Sequence, residues 1–206
     1  MNNEQIEAYL SYGFVPFRRA QCVKRIVGVW AASAVLLVIG ERSVAWAIPL
    51  GLCCLLITAL FAALTVRHSE ERLSRYLCDG VFSLYLALLL VLAAYRITVL
   101  QSGASLLRAA GFVGLLLLSI AAWGLLVRKN IKSGRYSEAA KPQKAGAWAY
   151  IGGAVGVFAA PVLLAGRDGL TVSSVGLIFV SLLLSAGSLN LQRALLDIKI
   201  ARQTER

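Results

Sequence analysis

Six stretches of this chain, at 26–40, 44–66, 80–100, 107–127, 147–166 and 171–191, carry between them only two charged residues, Arg96 and Arg108. A helix of ~20 apolar residues crosses the hydrocarbon layer of a bilayer. Lipid offers backbone amides no partners, so a buried segment must satisfy its own by coiling. Six such spans use ~120 residues, in step with the 59% of the 206 residues that are apolar. Charged residues make up 15% of the chain, where a soluble domain has roughly a quarter. Disorder is excluded by the hydrophobicity, and too little chain is left for a second folded core. The expected fold is an all-α integral membrane protein of six transmembrane helices.

The first stretch has 15 residues, short of the usual ~17. It is expected to borrow length from 21–25, with Lys24 and Arg25 reaching back to the headgroups. Arg96 lies about one turn from the outer end of its stretch and is expected to snorkel outward.

Lys and Arg are retained on the cytoplasmic side of a membrane. Seventeen of the 21 fall in the N-terminal segment, the second and fourth connections and the C-terminal tail, against four on or near the other side: Arg42, Arg96, Arg108 and Arg167. The split alternates at every span, which places both termini in the cytoplasm of a multi-pass cell-membrane protein. Trp30, Trp123 and Trp148 fall at inner ends and Trp46 at an outer end, where amphipathic rings sit best. The net charge of +11 therefore belongs to a cytoplasmic collar, attracted to anionic headgroups by ~1 kcal/mol per basic residue near the surface. Arg128, Lys129, Lys132 and Arg135 are its candidate lipid or partner contacts. Nucleic-acid binding is not expected, since the loops lack a domain that would present them to a groove.

The chain divides into a cytoplasmic amphipathic segment, 1–25, a six-helix transmembrane domain, 26–191, and a basic cytoplasmic tail, 192–206. The opening Met1-Asn2-Asn3-Glu4 does not read as a cleavable signal peptide. Residues 3–12 instead predict a short helix with Ile6, Tyr9 and Leu10 on one side, ended by Gly13. Such a helix is expected to lie along the inner membrane surface or dock on a partner.

Short outer connections at 41–43, 101–106 and 167–169 predict three antiparallel hairpins. Within lipid, helices associate through small residues and polar contacts. Gly152, Gly156 and Ala160 recur every four residues in the fifth stretch and predict close helix packing. In the sixth, Ser174, Ser181, Ser185, Ser188 and Gln192 share one side of the helix. That stripe is a candidate ligand face or, if each hydroxyl bonds its own helix, a slim packing surface.

Catalytic signatures are sparse. No span carries a mid-membrane carboxylate, which argues against a proton-coupled pump. His68 is the sole histidine. With Cys78 it makes a conceivable nucleophile pair, though Arg67, Glu70, Glu71 and Arg72 around it read as a solvated loop. Cys22, Cys53, Cys54 and Cys78 show no disulfide spacing and read as small apolar groups. The string Cys78-Asp79-Gly80-Val81-Phe82 is similar to the Phe-Ser-Asp-Gly signature of small six-span bacterial potassium channels. Leu77 and Cys78 replace its Phe and Ser, and the string opens the third span, not the first as in that family.

The expected function is that of a non-enzymatic transport component without a cofactor or metal: a small permease, or a membrane subunit that binds a small molecule or lipid and is energised by a partner. The alternative is an accessory or scaffold subunit of a larger membrane complex; a cation channel and a membrane cysteine peptidase complete the set. Anionic lipids and either a protein partner or a second copy are the expected contacts.

Overall fold

A computed structural model describes residues 3–12, 19–38, 44–67, 72–136 and 169–204. In chain order these form α1 (Asn3–Ser11), α2 (Arg19–Val38), α3 (Val44–Arg67), α4 (Arg72–Ser102), α5 (Leu106–Lys132) and α6 (Gly169–Leu184). A single 3₁₀ turn, Ser185–Gly187, then joins α6 to α7 (Ser188–Thr204). No strand occurs among the described residues. The fifth expected span, 147–166, with Gly152, Gly156 and Ala160, lies outside them.

Five helices among the described residues are long and apolar enough to cross a membrane: Ala20–Val38, Trp46–Val66, Arg72–Ser102, Leu106–Lys132 and Thr171–Gln203. The last is α6 and α7 running as one rod through the 3₁₀ turn. Leu52, Leu55 and Leu56 on α3, and Leu117, Leu118 and Leu125 on α5, are exposed among the described residues. Water does not tolerate an apolar surface of that extent. The chain is a multi-pass membrane protein. Its first span begins at Arg19, so α2 gains the length that 26–40 lacked.

α4 is the central helix. Of its most apolar stretch 44% is buried, against 17–22% in the other four spans. On one side it meets α2 in the same direction, and α3 runs antiparallel to α2. Trp30 Nε1 donates to Thr58 Oγ1 at 3.1 Å between α2 and α3. Deeper, Ser33 Oγ lies 2.7 Å from Tyr85 Oη and donates to Val29 O at 2.7 Å, while Cys54 Sγ donates to Ser33 Oγ at 3.1 Å. Ser33, Cys54 and Tyr85 thus bond to one another inside a core that also holds Leu36, Leu50 and Leu89, the kind of polar contact that associates helices in lipid.

On its other side α4 meets the α6–α7 rod, antiparallel and at unusually close range. A Cβ added to Gly187 would stand 2.0 Å from Ser83 Cβ, and one added to Gly80 would stand 2.6 Å from Leu191 Cγ. These glycines, with fully buried Ala87 and Ala94, let the two backbones approach as larger residues would not.

Two expectations are corrected here. Arg96 does not reach outward. It is 6% exposed, donates from Nη1 to Leu36 O at 2.6 Å and lies 5.7 Å from the Trp46 ring centre. Leu36 lies in the last described turn of α2, and its carbonyl receives the inward guanidinium. Nor is the apolar face of α1 left for lipid. Ile6, Tyr9 and Leu10 are buried against the chain itself, among Tyr76 on α4, Val127 and Ile131 on α5, and Ala194 and Leu196 on α7. The segment 192–206, expected as a basic tail, is helical to Thr204 as part of α7.

Candidate functional site

The serine stripe is on the buried side of the rod. Ser174 and Ser188 are 4% exposed, and Ser181 and Ser185 not at all. Ser185 Oγ donates to Leu182 O at 2.6 Å and lies 2.7 Å from Ser119 Oγ on α5, and Ser174 Oγ donates to Thr171 O at 3.0 Å. The hydroxyls of Ser181 and Ser188 find no partner among the described residues. Most of the stripe thus fills the groove beside α4 and α5, where a small side chain is required. A buried hydroxyl without a partner carries a desolvation penalty. Ser181→Ala is therefore expected to leave thermal stability in detergent unchanged or raised. Ser185→Ala should lower it by about 0.5–1.5 kcal/mol, a typical hydrogen-bond contribution. A larger loss from Ser181→Ala than from Ser185→Ala would show that Ser181 Oγ has a partner of its own.

Below the seam, the end of the bundle that carries α1 gathers most of the polar chemistry. The Asp79 carboxylate on α4 pairs with Arg25 on α2 and, at 3.4 Å, with Arg75 one turn earlier. The Arg193 guanidinium on α7 sits over two rings, 4.7 Å from Tyr9 and 5.5 Å from Tyr76. The Tyr9 ring packs on Tyr136 at 4.8 Å. Burial pushes the Tyr9 phenol above its ordinary pKa and the neighbouring Arg193 opposes that rise. Tyr76 Oη donates to Leu10 O, and Arg72 pairs with Glu7 at 2.6 Å. The ion pair is half exposed and adds little; the buried rings anchor α1.

Where α1, α5 and α7 meet, a cleft of about 550 Å³ opens. Its cations are Arg128 and Lys132 on α5 and Lys199 on α7, and Gln192, Gln203 and Asn3 bring amides. Its apolar floor includes Ile131 and Leu196. On α7 the lining repeats at Gln192, Leu195, Leu196, Lys199 and Gln203, one face of a helix. Gly124 makes room for this arrangement: a Cβ there would stand 2.6 Å from Gln192 Nε2. An adjoining hollow of about 490 Å³ along α7 shares Leu195, Lys199 and Gln203 and adds Ile198 and Arg202.

The structure therefore joins the last member of the stripe, Gln192, with two of the four collar residues, Arg128 and Lys132. Lys129 and Arg135 are exposed and do not line the cleft. Lys199 and Asn3 were not singled out from the sequence. Lys199 stands two turns beyond Gln192 on the same face, a signal that was readable once the tail was taken as helix.

No family model, curated protein or solved structure matches this chain. Its function is therefore argued from its own residues. Cys78 is fully buried, in a cluster with Cys22 and Phe61, and His68 lies outside the described residues. In the string that is similar to the channel signature, Asp79 is engaged by two arginines and Gly80 by Leu191.

Proposed function

We propose that this chain is the membrane subunit of a transport system: it binds a small anionic molecule or lipid on its cytoplasmic side and takes its energy from a partner, without catalysing a reaction. The observation that carries this reading is the cleft, where three cations and three amides stand over an apolar floor at the α1 end. Of the two forms a transport component takes, a permease with its path along α6 is the less supported, because Ser174, Ser181, Ser185 and Ser188 are buried on the packed seam.

The reading includes six spans in three hairpins, with both termini in the cytoplasm. Tyr136 packs on Tyr9 at the α1 end, and Thr171 has a hydroxyl that accepts from Gln101 Nε2 at the opposite end. An odd number of crossings between those points supports the count of six. The concentration of Lys and Arg at the α1 end supports its cytoplasmic placement. A scaffold role is the second reading, favoured by the exposed cations outside the cleft, Lys129 and Arg135.

Gentle purification in native-like lipid followed by native mass spectrometry tests both. Retention of a small molecule or defined lipid, together with a partner protein, is the expected result. A partner without any ligand would favour the scaffold. A bare monomer with neither would sink the binding-subunit reading.

A further inference from the structure

We propose that the cleft between α1, α5 and α7 is a specific site for a phosphate group, carried by an anionic phospholipid. The proposal rests on the reading of the α1 end as the working face and names the ligand class of that site. At this same end Arg25 of α2 and Arg72 and Arg75 of α4 are already engaged with acids: Arg25 and Arg75 hold Asp79, and Arg72 holds Glu7. Arg128, Lys132 and Lys199 form no ion pair among the described residues, and the cleft lining contains neither Asp nor Glu. Three cations held around one concavity with no carboxylate repel one another, and an anion removes that repulsion. Amide donors from Gln192, Asn3 and Gln203 suit the several acceptor oxygens of a phosphate.

The apolar part of the lining selects the carrier. Leu195 is 68% exposed although it borders the cleft. Beside it, α5 passes from the apolar stretch ending at Val127 to the charged turn that begins at Arg128. A group held there has its charge beside the cations and its chain beside the leucines, which is how a phospholipid lies at an interface. The volume of about 550 Å³ is in the range of small-ligand sites, ~300–1,000 Å³. A choline headgroup would bring its own cation against Lys132 and Lys199, so phosphatidic acid should be preferred to phosphatidylcholine.

The test uses the purified full chain in a mild detergent, titrated with dioctanoyl phosphatidic acid, dioctanoyl phosphatidylcholine or glycerol 3-phosphate and read by native mass spectrometry. Two double variants remove the same charge from the same end: Lys132→Gln with Lys199→Gln in the cleft, and Lys129→Gln with Arg135→Gln outside it. All four side chains are exposed, so both variants should remain folded. One phosphatidic acid should bind the unmodified chain, and the cleft variant should weaken it on the order of tenfold or more. The outer variant should change it by no more than about twofold, as screened charges at a distance do. Equal weakening by both variants, or equal binding of phosphatidylcholine, would overturn the site in favour of diffuse attraction. Glycerol 3-phosphate binding as tightly as the lipid, with the same loss in the cleft variant, would keep the phosphate site and overturn the lipid as its source. A chain that holds a protein partner but no phosphate compound loses the site alone, and the scaffold reading then takes over.

Discussion

Gly187→Ala is expected to destabilise the protein more than any other single-methyl addition at a described glycine. The new methyl would stand 2.0 Å from Ser83 Cβ and 2.4 Å from its Oγ. The obstructing atoms belong to the root of a short side chain, so no rotamer change removes them and the rod must move off α4. Overpacking of this kind costs about 1–3 kcal/mol, roughly 3–10 °C in a chain of this length. The loss is measured as the temperature at which half the detergent-solubilised protein ceases to be monodisperse. Ser83→Gly supplies the internal check: it removes both offending atoms and leaves Ser83 Cα 3.5 Å away, ordinary contact. The double variant should regain most of the loss, as coupled neighbours do. Gly51→Ala on α3 meets nothing within 4 Å and should raise stability slightly, because alanine favours helix over glycine by about 0.5–1 kcal/mol. If Gly187→Ala and Gly51→Ala behave alike, the close seam between α4 and the rod is wrong.

Asp79→Ala is the second large effect. It deprives Arg25 and Arg75 of their shared carboxylate. Breaking a fully buried pair costs ~3–5 kcal/mol through the charge left behind. Here the side chains keep 17–19% of their surface in contact with solvent, so about 2–3 kcal/mol is the better figure, screened as partly exposed charges are. Adding Arg25→Met should recover much of it, since the stranded charge and not the missing hydrogen bond is the main penalty. Unchanged melting of Asp79→Ala would show that the triad contributes only local order. Recovery by Arg25→Met, in contrast, would tie α2 to α4 through this contact.

Five apolar helices were legible because lipid imposes a blunt requirement: long runs without charge. The shortage in 26–40 pointed to added length from 21–25, and the helix in fact begins earlier, at Arg19. What periodicity does not reveal is the neighbour. Ser181 and Ser185 stand on one face of a helix whether that face borders a pathway or a packed groove; their burial, and the close approach of Gly187 to Ser83, depend on a neighbour that the helix's own sequence does not name. Arg96 was misread for a similar reason. Its distance from the end of a span is visible in the sequence, whereas the carbonyl of Leu36, sixty residues earlier, is not. The cleft was half legible. Arg128, Lys132 and Gln192 stood out, but Lys199 was hidden by treating 192–206 as a tail, and the part played by α1 depends on contacts between the two extremes of the chain.

Those contacts constrain how the protein is made. A ribosome delivers α1 first and α7 last, yet Ile6 and Leu10 are buried against Ala194, and Arg193 stacks on Tyr9. The part of the α1 face that meets Ala194 and Arg193 therefore gains its cover only after α4 and α5 have supplied Tyr76, Val127 and Ile131. A chain truncated before Arg193 would carry a partly open α1, and such a stub is what chaperones and proteases recognise in an unfinished membrane protein.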